Sequence, residues 1–463
     1  IDQRFNPNQN VDQSSPEPSL PEPWISHNAH QFFNPASNAK LLTTAAALTR
    51  LGSNKSVFTS LYLEPSSPQG QPNLWLVPLG DPTLDQKVLD RFAITTAQNG
   101  ITAVDTLWVW ASDFGLAQRG HVSSWEWGDL PFGYGAPVST AVLNQNQMVL
   151  EINGTQVGEP AQVIPSDEIA AQQWQIQNQV ITGESDIPTA IRITPGWPNT
   201  LHLSGSLPAG ATDLTRIAVP QPATYLGDSF KMALEQRGIV VNQVRVRDDV
   251  VARGNLTNLD VYDSPSAGEL VYSINQVSNN LYAETLLGWL ALNLEQNADV
   301  ERIEVLSDIF DLSTPAGRSR YALEYALAEL GISSDQYRIA DGSGLSRQNL
   351  VTPQTLINIL VSMGRSRETL TFRQSLPIAG ETGTLRNRFK DTVLEGKLIA
   401  KTGTLTGVSA LSGYFPHSKG NWVAFSILVN HSNQPASVLR QAMDDLLVAI
   451  AETPSHCLGI ESN

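Results

Sequence analysis

From Leu41 to Leu51 the run LLTTAAALTRL carries apolar residues on every face, and a helix without a polar stripe has to be covered on all sides. Only a sizeable body can do that. The chain has 463 residues, which at about 150 per domain leaves room for two to four domains. Gly52 is placed to end this core helix, so position 40 lies on it or at its start. Charged residues make up only 16 % of the chain, and its 33 glycines and 28 prolines read as a globular protein with many turns, neither disordered nor collagen-like.

Charge and cysteine content narrow the partners. Lysine and arginine number 29 against 45 acids, a formal net charge of −16, which repels phosphate backbones and anionic lipid. With no basic patch legible in the sequence, nucleic acid and membrane surfaces are excluded as expected partners. The best apolar run, Leu286 to Leu294, is half the roughly 20 residues needed to cross a bilayer, so no transmembrane segment is expected. Cys457 is the single cysteine, and the seven histidines show no HExxH spacing, so neither a disulfide, nor a metal, nor another cofactor is expected. The chain opens on Ile1 and its first methionine is Met148, which reads as a natural N-terminus removed by processing or by truncation, and the residues present do not show a secretory signal.

Along the chain, Pro7 to Pro23 reads as a loose Pro/Gln/Asn/Ser arm. Strands are predicted at Phe58 to Leu63, Leu74 to Leu79, Thr106 to Ala111, Gln147 to Ile152, Ala190 to Thr194, Thr200 to Ser204 and Val240 to Val246. Helices are predicted at Leu84 to Asn99 and Tyr225 to Arg237. Ser266 to Leu294, Ser319 to Leu330, Pro353 to Met363 and Val438 to Glu452 then read as helical, with late strands at Leu398 to Lys401, Ser409 to Tyr414 and Trp422 to Val429. The pattern predicts an α+β multi-domain protein, an early core helix and a helical end section bracketing a β-rich insertion. Residues 1–57 and 262–463 are expected to form one discontinuous domain, 58–84 and 147–261 an inserted β-rich domain, and 85–146 a second, small α/β insertion.

Three short motifs carry candidate chemistry. In PASNAK, Ser37 and Lys40 are three apart and share a helix face, so a hydroxyl can meet an amine that serves as its base if that amine is neutral. Burial, the helix dipole and a second cation, expected to be Lys401, are the available causes of the lowered lysine pKa. Taken alone, such a pair also suits any exposed helix. AKTGTLTG puts Lys401, Thr402 and Gly403 on a strand, where a glycine suggests close approach of another backbone. A peptide adding along that edge could place a terminal carboxylate on Lys401, Thr402 and Thr404, with the Thr404 and Ser37 amides facing the oxyanion. The bland alternative is a lysine before a turn, and the near-copy ETGTL at Glu381 to Leu385 reads as only a turn. Ser278 and Asn280 supply a proton-relaying hydroxyl and an amide, although Ser278 equally suits a helix N-cap, and Ser26 to Asn28 and Ser273 to Asn275 repeat the spacing.

The set SxxK, SxN, KTG, in that order, is that of the active-site serine penicillin-recognising enzymes. The Glu-x-x-Leu-Asn deacylation motif of class A β-lactamases is absent, since Leu143 and Leu292 are preceded by Thr140 and Trp289 where glutamate would stand. Rapid β-lactam hydrolysis is therefore not expected. Further stretches, GDPTL at Gly80, WEWGD and YGAP from Trp125 to Pro137, SNNLYAE from Ser278, DGSGLSR from Asp341 and KTGTLTGVSALSGY from Lys401, resemble the class C low-molecular-mass penicillin-binding proteins. These are D-alanyl-D-alanine carboxypeptidases and endopeptidases of the bacterial envelope.

The resemblance implies a β-lactamase/transpeptidase-like domain, an antiparallel sheet with helices on both faces, carrying a large insertion. It implies acylation of Ser37 with Lys40 as base, proton delivery by Ser278 and Lys401, substrate held by Asn280, and Asp129 and Arg347 reading the charged end of a diaminopimelate side chain. Each of the last two is singly also explained as a surface ion or a structural salt bridge. It further implies a peptidoglycan stem peptide ending in D-Ala-D-Ala as substrate, β-lactams as covalent inhibitors and a periplasmic or cell-envelope location. Where the family has a helix and two strands ahead of SxxK, Asp2 to Asn28 is polar and proline-rich, so the catalytic sheet is expected to lack strands. Two alternatives follow: a non-catalytic peptidoglycan-binding protein with a defective N-terminal sheet, or a serine esterase or β-lactamase on the same scaffold.

Overall fold

The computed structural model describes residues 2–5, 23–65, 70–115, 117, 120–248, 256–296, 312–417 and 422–453. Most of the proline-rich arm and Cys457 lie outside them. The chain divides into two compact units, residues 1–55 with 266–463, and residues 56–265. Strand β1 (Asp2–Phe5) opens the first unit, followed by the core helix α1 (Ala39–Leu51), entered through a 3-10 turn over Ala36–Asn38. Residues 39–48 of α1 are all buried, as its continuous apolar surface requires. Its threonines are satisfied inside the core: Thr43 Oγ1 donates to the Gly342 carbonyl at 2.7 Å and Thr44 Oγ1 to that of Lys40 at 2.7 Å. Gly52, at φ 74°, ends the helix by donating its N–H to the Leu48 carbonyl.

In the second unit, β2 (Phe58–Glu64), β3 (Asn73–Pro78), α2 (Gln86–Gln98) and β4 (Ala103–Trp110) come first. The smaller strands β5 (Gln147–Asn153) and β6 (Gln162–Pro165), the short α3 (Glu168–Ala171), β7 (Gln175–Gly183), β8 (Ala190–Gly196), β9 (Thr200–Pro208) and β10 (Thr212–Ala218) follow. Helix α4 (Pro222–Glu235), β11 (Val240–Arg247) and β12 (Thr257–Asp263) complete it. The main sheet runs β11-β4-β3-β2-β12, with β4 parallel to both β3 and β11. Helices α2 and α4 pack together, Phe92 edge-on to Phe230 at 6.3 Å. Strand β4 lies inside 85–146, the stretch expected to form a domain of its own, yet it is the second strand of this sheet. A short parallel strand read by itself does not disclose partners tens of residues away.

Strands β6, β7, β10 and β12 escape the sequence reading for a simpler reason. In β7, QIQNQVITG, exposed positions alternate with half-buried or buried ones, and glutamine fills most of the exposed ones, so few apolar residues mark the strand.

The first unit resumes with α5 (Ala267–Val277), α6 (Asn280–Gln296), α7 (Pro315–Glu329), the short pair β13 (Tyr337–Arg338) and β14 (Leu350–Val351), α8 (Pro353–Arg365) and α9 (Thr369–Ser375). It ends with β15 (Ile399–Leu405), β16 (Val408–Pro416), β17 (Trp422–Val429) and α10 (Ala436–Glu452). Its antiparallel sheet runs β1-β17-β16-β15. Phe415 packs with Met443, Leu447 and Ile450 of α10, whereas the preceding Tyr414 sends its hydroxyl to the Leu360 carbonyl of α8 at 2.6 Å. Alternate residues of a strand face opposite ways, so helices cover both faces, as expected. The expected loss of strands is corrected in part: polar Asp2–Phe5 still pairs with β17, because a ladder is made by backbone groups. Among the described residues no helix is long and apolar enough to cross a membrane.

Candidate active site

Four separate stretches of the first unit meet around Ser37. The hydroxyl of Ser37 accepts from Lys40 Nζ at 3.1 Å. The same amine donates to Asn280 Oδ1 at 2.7 Å and to the Ser343 carbonyl, which uses all three of its protons. Lys401 Nζ donates to Ser278 Oγ at 2.9 Å and to the Thr402 carbonyl at 2.9 Å. Both lysines are fully buried. The expected grouping of Ser37, Lys40, Ser278, Asn280 and Lys401 is thus met in space.

Backbone geometry explains how Ser278 comes free. Helix α5 stops at Val277 and Ser278 adopts a left-handed φ of 60°, a costly conformation for a residue with a side chain. The N-cap role falls instead to Asn279, whose Oδ1 accepts from the Tyr282 N–H at 3.1 Å. The Ser278 hydroxyl is left to meet Lys401. The N-cap alternative for Ser278 is therefore set aside.

Strand β15 is the edge of its sheet, with Lys401 opposite Ser412 and Gly403 opposite Ala410. A Cβ at Gly403 would stand 2.9 Å from the Pro35 carbonyl oxygen and 3.0 Å from the Ser37 nitrogen. The strand therefore lies directly against the turn that carries Ser37, which only glycine allows. Thr402 Oγ1 donates to Thr384 Oγ1 at 2.7 Å, so the ETGTL near-copy, a 3-10 turn at Gly383–Leu385, abuts the KTG strand.

Two carboxyl groups that sequence reasoning left out complete the cluster. Glu284 is fully buried on α6, one turn beyond Asn280, and its Oε1 accepts the Ser343 N–H at 2.8 Å. The backbone of Ser343 is thus held on both sides, its N–H by Glu284 and its carbonyl by Lys40. The i,i+4 spacing of Asn280 and Glu284 was the available signal. Asp341, also buried, accepts from the Gly344 and Ser346 N–H groups at 2.7 and 2.6 Å and from Asn349 Nδ2 at 2.7 Å, fixing the DGSGLSR loop.

Burial lowers Lys40 to about 8, with Asp341 and Glu284 opposing the shift. Burial, and then the charge of Asp341, raise Glu284 to about 8. Burial and then the Lys40 cation push Lys401 well below the usual lysine range. The expected action of Lys401 on Lys40 is corrected: burial lowers Lys40 against the opposing carboxylates, and it is the Lys40 cation that lowers Lys401.

Arg347 is exposed and donates from Nη1 to the Thr406 carbonyl at 3.1 Å, just past the end of β15. Asp129 belongs to the other unit, where its Oδ1 accepts from the Tyr134 hydroxyl at 3.1 Å.

The sequence model of the D-Ala-D-Ala carboxypeptidase 3 (S13) family matches residues 20–450. A D-alanyl-D-alanine carboxypeptidase of Actinomadura sp. (strain R39) is 34 % identical over 458 residues, covering 94 % of this chain and 80 % of its own. A penicillin-sensitive carboxypeptidase A of Dictyostelium discoideum is 26 % identical over 92 % of this chain and 84 % of its own. The crystal structure of penicillin binding protein 4 from Haemophilus influenzae superposes with a TM-score of 0.78 at 23 % identity, over 93 % of each chain.

Proposed function

From the premise that the chain belongs to the D-Ala-D-Ala carboxypeptidase 3 (S13) family, we propose that it is a serine hydrolase of peptidoglycan stem peptides, cleaving D-Ala-D-Ala bonds through an acyl-enzyme. The carrying observation is the buried Lys40 amine 3.1 Å from the Ser37 hydroxyl. A buried amine brought down to about 8 is neutral in about one molecule in ten at pH 7, enough for a general base poised near its operating pH. Lys40 takes the Ser37 proton as Oγ bonds to the penultimate carbonyl carbon, and the carbon–nitrogen bond then breaks. The leaving nitrogen receives a proton through Ser278, which hydrogen-bonds to Lys401, and water hydrolyses the ester.

Asn280 holds the substrate, and Thr402 and Thr404 with Lys401 receive the terminal carboxylate. Gly403 lets β15 lie against the turn that carries Ser37, and the Ser37 and Thr404 amides stabilise the oxyanion. Arg347, exposed just past the end of β15, reads the carboxylate of a diaminopimelate side chain, a fixed positive charge matched to a negative group. β-Lactams acylate the same serine, and the site of action is the periplasm or cell envelope.

Labelled penicillin is expected to attach to Ser37 of the wild type and to leave Ser37→Ala unlabelled, and a peptide ending in D-Ala-D-Ala is expected to release D-alanine. Labelling without release points to a binding protein, and rapid turnover of an ester or β-lactam with little D-alanine points to the esterase alternative. A second experiment tests the carboxyl groups. Glu284→Gln keeps an oxygen for the Ser343 N–H and removes a carboxyl group that, as it ionises near 8, raises Lys40. The ionisation governing acylation should therefore move below about 8, with the alkaline plateau retained. An unmoved profile removes Glu284 from the electrostatics of the base.

A further inference from the structure

Ser37 stands next to a backbone conformation that a side chain disfavours. Ala36, immediately before it, has a left-handed φ of 45°, which persists only where the surroundings over-determine it. Asn34, two residues earlier, supplies part of that restraint. Its Oδ1 accepts the Ala36 N–H at 2.8 Å, and its Nδ2 donates to the Ser346 carbonyl of the DGSGLSR loop at 3.3 Å. A side chain can hold a turn in this way only if its own backbone is fixed.

Asn430 fixes it. This residue directly follows β17, and its carboxamide meets both backbone groups of Asn34: Oδ1 accepts the Asn34 N–H at 2.7 Å, and Nδ2 donates to the Asn34 carbonyl at 3.0 Å. One side chain thus makes the exchange of two hydrogen bonds that a neighbouring strand would make. Phe33 makes the same exchange with Val351 of β14, at 2.9 Å in each direction. Asn34 is buried and Asn430 half-buried, so water competes little for these bonds. The two asparagines are 396 positions apart, and Asn430 belongs to none of the motifs that mark the site.

We infer that Asn430 is a positioning residue for acylation: by clasping Asn34 it keeps Ala36 in its left-handed turn, and so fixes where Ser37 presents its hydroxyl and its N–H. The inference rests on the hydrolase reading above, in which Ser37 is the nucleophile. Packing alone bounds the turn without orienting it. Gly344 and Gly403 bring two further backbones against Ala36 and Ser37, which limits how far the turn can move, whereas the hydrogen bonds of Asn34 and Asn430 set its direction. Without the clasp the serine stays in the cleft, but its Oγ spreads over several directions, and few of them are aligned for attack. Lys40 is held separately, by Asn280 and the Ser343 carbonyl, so the base keeps its surroundings.

The test follows the rate of labelling against penicillin concentration, on the full chain, in the wild type and in Asn430→Ala. Gly331→Ala, at an exposed turn with nothing within 4 Å of its Cβ position, serves as the reference for general destabilisation. Asn430→Ala is expected to lower the maximal acylation rate about tenfold, part of the roughly hundredfold that a misplacement of about 1 Å costs. The half-saturating concentration stays within about twofold of the wild type, and the pH midpoint stays at about 8. Gly331→Ala is expected to acylate at the wild-type rate. Adding Asn34→Ala to Asn430→Ala is expected to slow labelling no further than Asn34→Ala does alone, because Asn430 acts through Asn34. If Asn430→Ala does not fold, Asn430→Gln, which keeps the amide but carries it one methylene further out, is expected to show the same selective loss. A wild-type acylation rate in a folded Asn430 variant, a shifted pH midpoint, or losses that multiply in the double variant overturn the inference. A wild type that penicillin does not label overturns the hydrolase reading, and the positioning role with it.

Discussion

Replacing Lys40 by methionine is expected to slow the labelling of Ser37 by penicillin about a thousandfold or more while the protein stays folded. Loss of a positioned general base removes roughly 10²–10⁴ in rate, and here the same side chain also holds the serine hydroxyl in place. Methionine fills nearly the same buried volume, so the apolar packing of α1 is kept. The change leaves the Ser343 carbonyl, which is buried, without the Lys40 donor, at a cost of about 1–3 kcal/mol, and removes one hydrogen bond from the half-buried Asn280. A modest drop in melting temperature with near-complete loss of labelling is the expected pair of results. In the wild type, labelling should climb about tenfold per pH unit until it levels near 8, because the amine is the base only after losing its proton. Labelling of Lys40→Met at the wild-type rate would remove the amine from the chemistry, whatever its distance from Ser37.

The residues proposed for catalysis were legible because chemistry restricts their identity and spacing. Ser37 and Lys40 sit one turn apart at the head of a helix whose burial is written in its composition, and Gly403 announces a close backbone approach by its lack of a side chain. Glu284 was harder to see. A glutamate in the middle of a helix usually reads as solvent-facing, and nothing local tells that α6 is buried around it or that the Ser343 N–H arrives from a loop some sixty residues away. The direction of the coupling between the lysines was equally hidden, since Asp341, the largest charge opposing the shift of Lys40, enters the sequence only as the first residue of DGSGLSR. In the fold, strands facing a common core were readable from their apolar alternation. Strands such as β7 and β12, with polar or acidic residues at their open positions, were not, because backbone pairing selects for register and partner rather than for composition.

The loop from Asp341 to Arg347 supplies a second large expected effect, one that separates a tight contact from a strained backbone. Gly344 has φ +82°, and a Cβ there would fall 1.9 Å from the Ala36 carbonyl oxygen, 2.5 Å from its carbon and 3.0 Å from Ser37 Cα. All three are backbone atoms of the turn that presents the nucleophile, so no rotamer change relieves the overlap. Gly331 has φ +74° with nothing within 4 Å of its Cβ position. For an alanine in the left-handed region the conformational cost is about 1–2 kcal/mol at either site. Gly331→Ala is expected to show that cost alone, as a small fall in stability with labelling unchanged. Gly344→Ala adds a displacement of Ala36 and Ser37, so it is expected to lose about 3 kcal/mol or more and to slow labelling at least about a hundredfold, because an error of about 1 Å at the reacting atoms is worth that much. The carbonyl of Ser343, which holds Lys40, precedes this glycine directly, so a shift of the loop moves the base as well as the serine. Equal behaviour of the two variants would mean that the loop yields freely and takes no part in fixing the site. A selective loss at Gly344 would identify the DGSGLSR segment as the wall against which the nucleophile and its base are held.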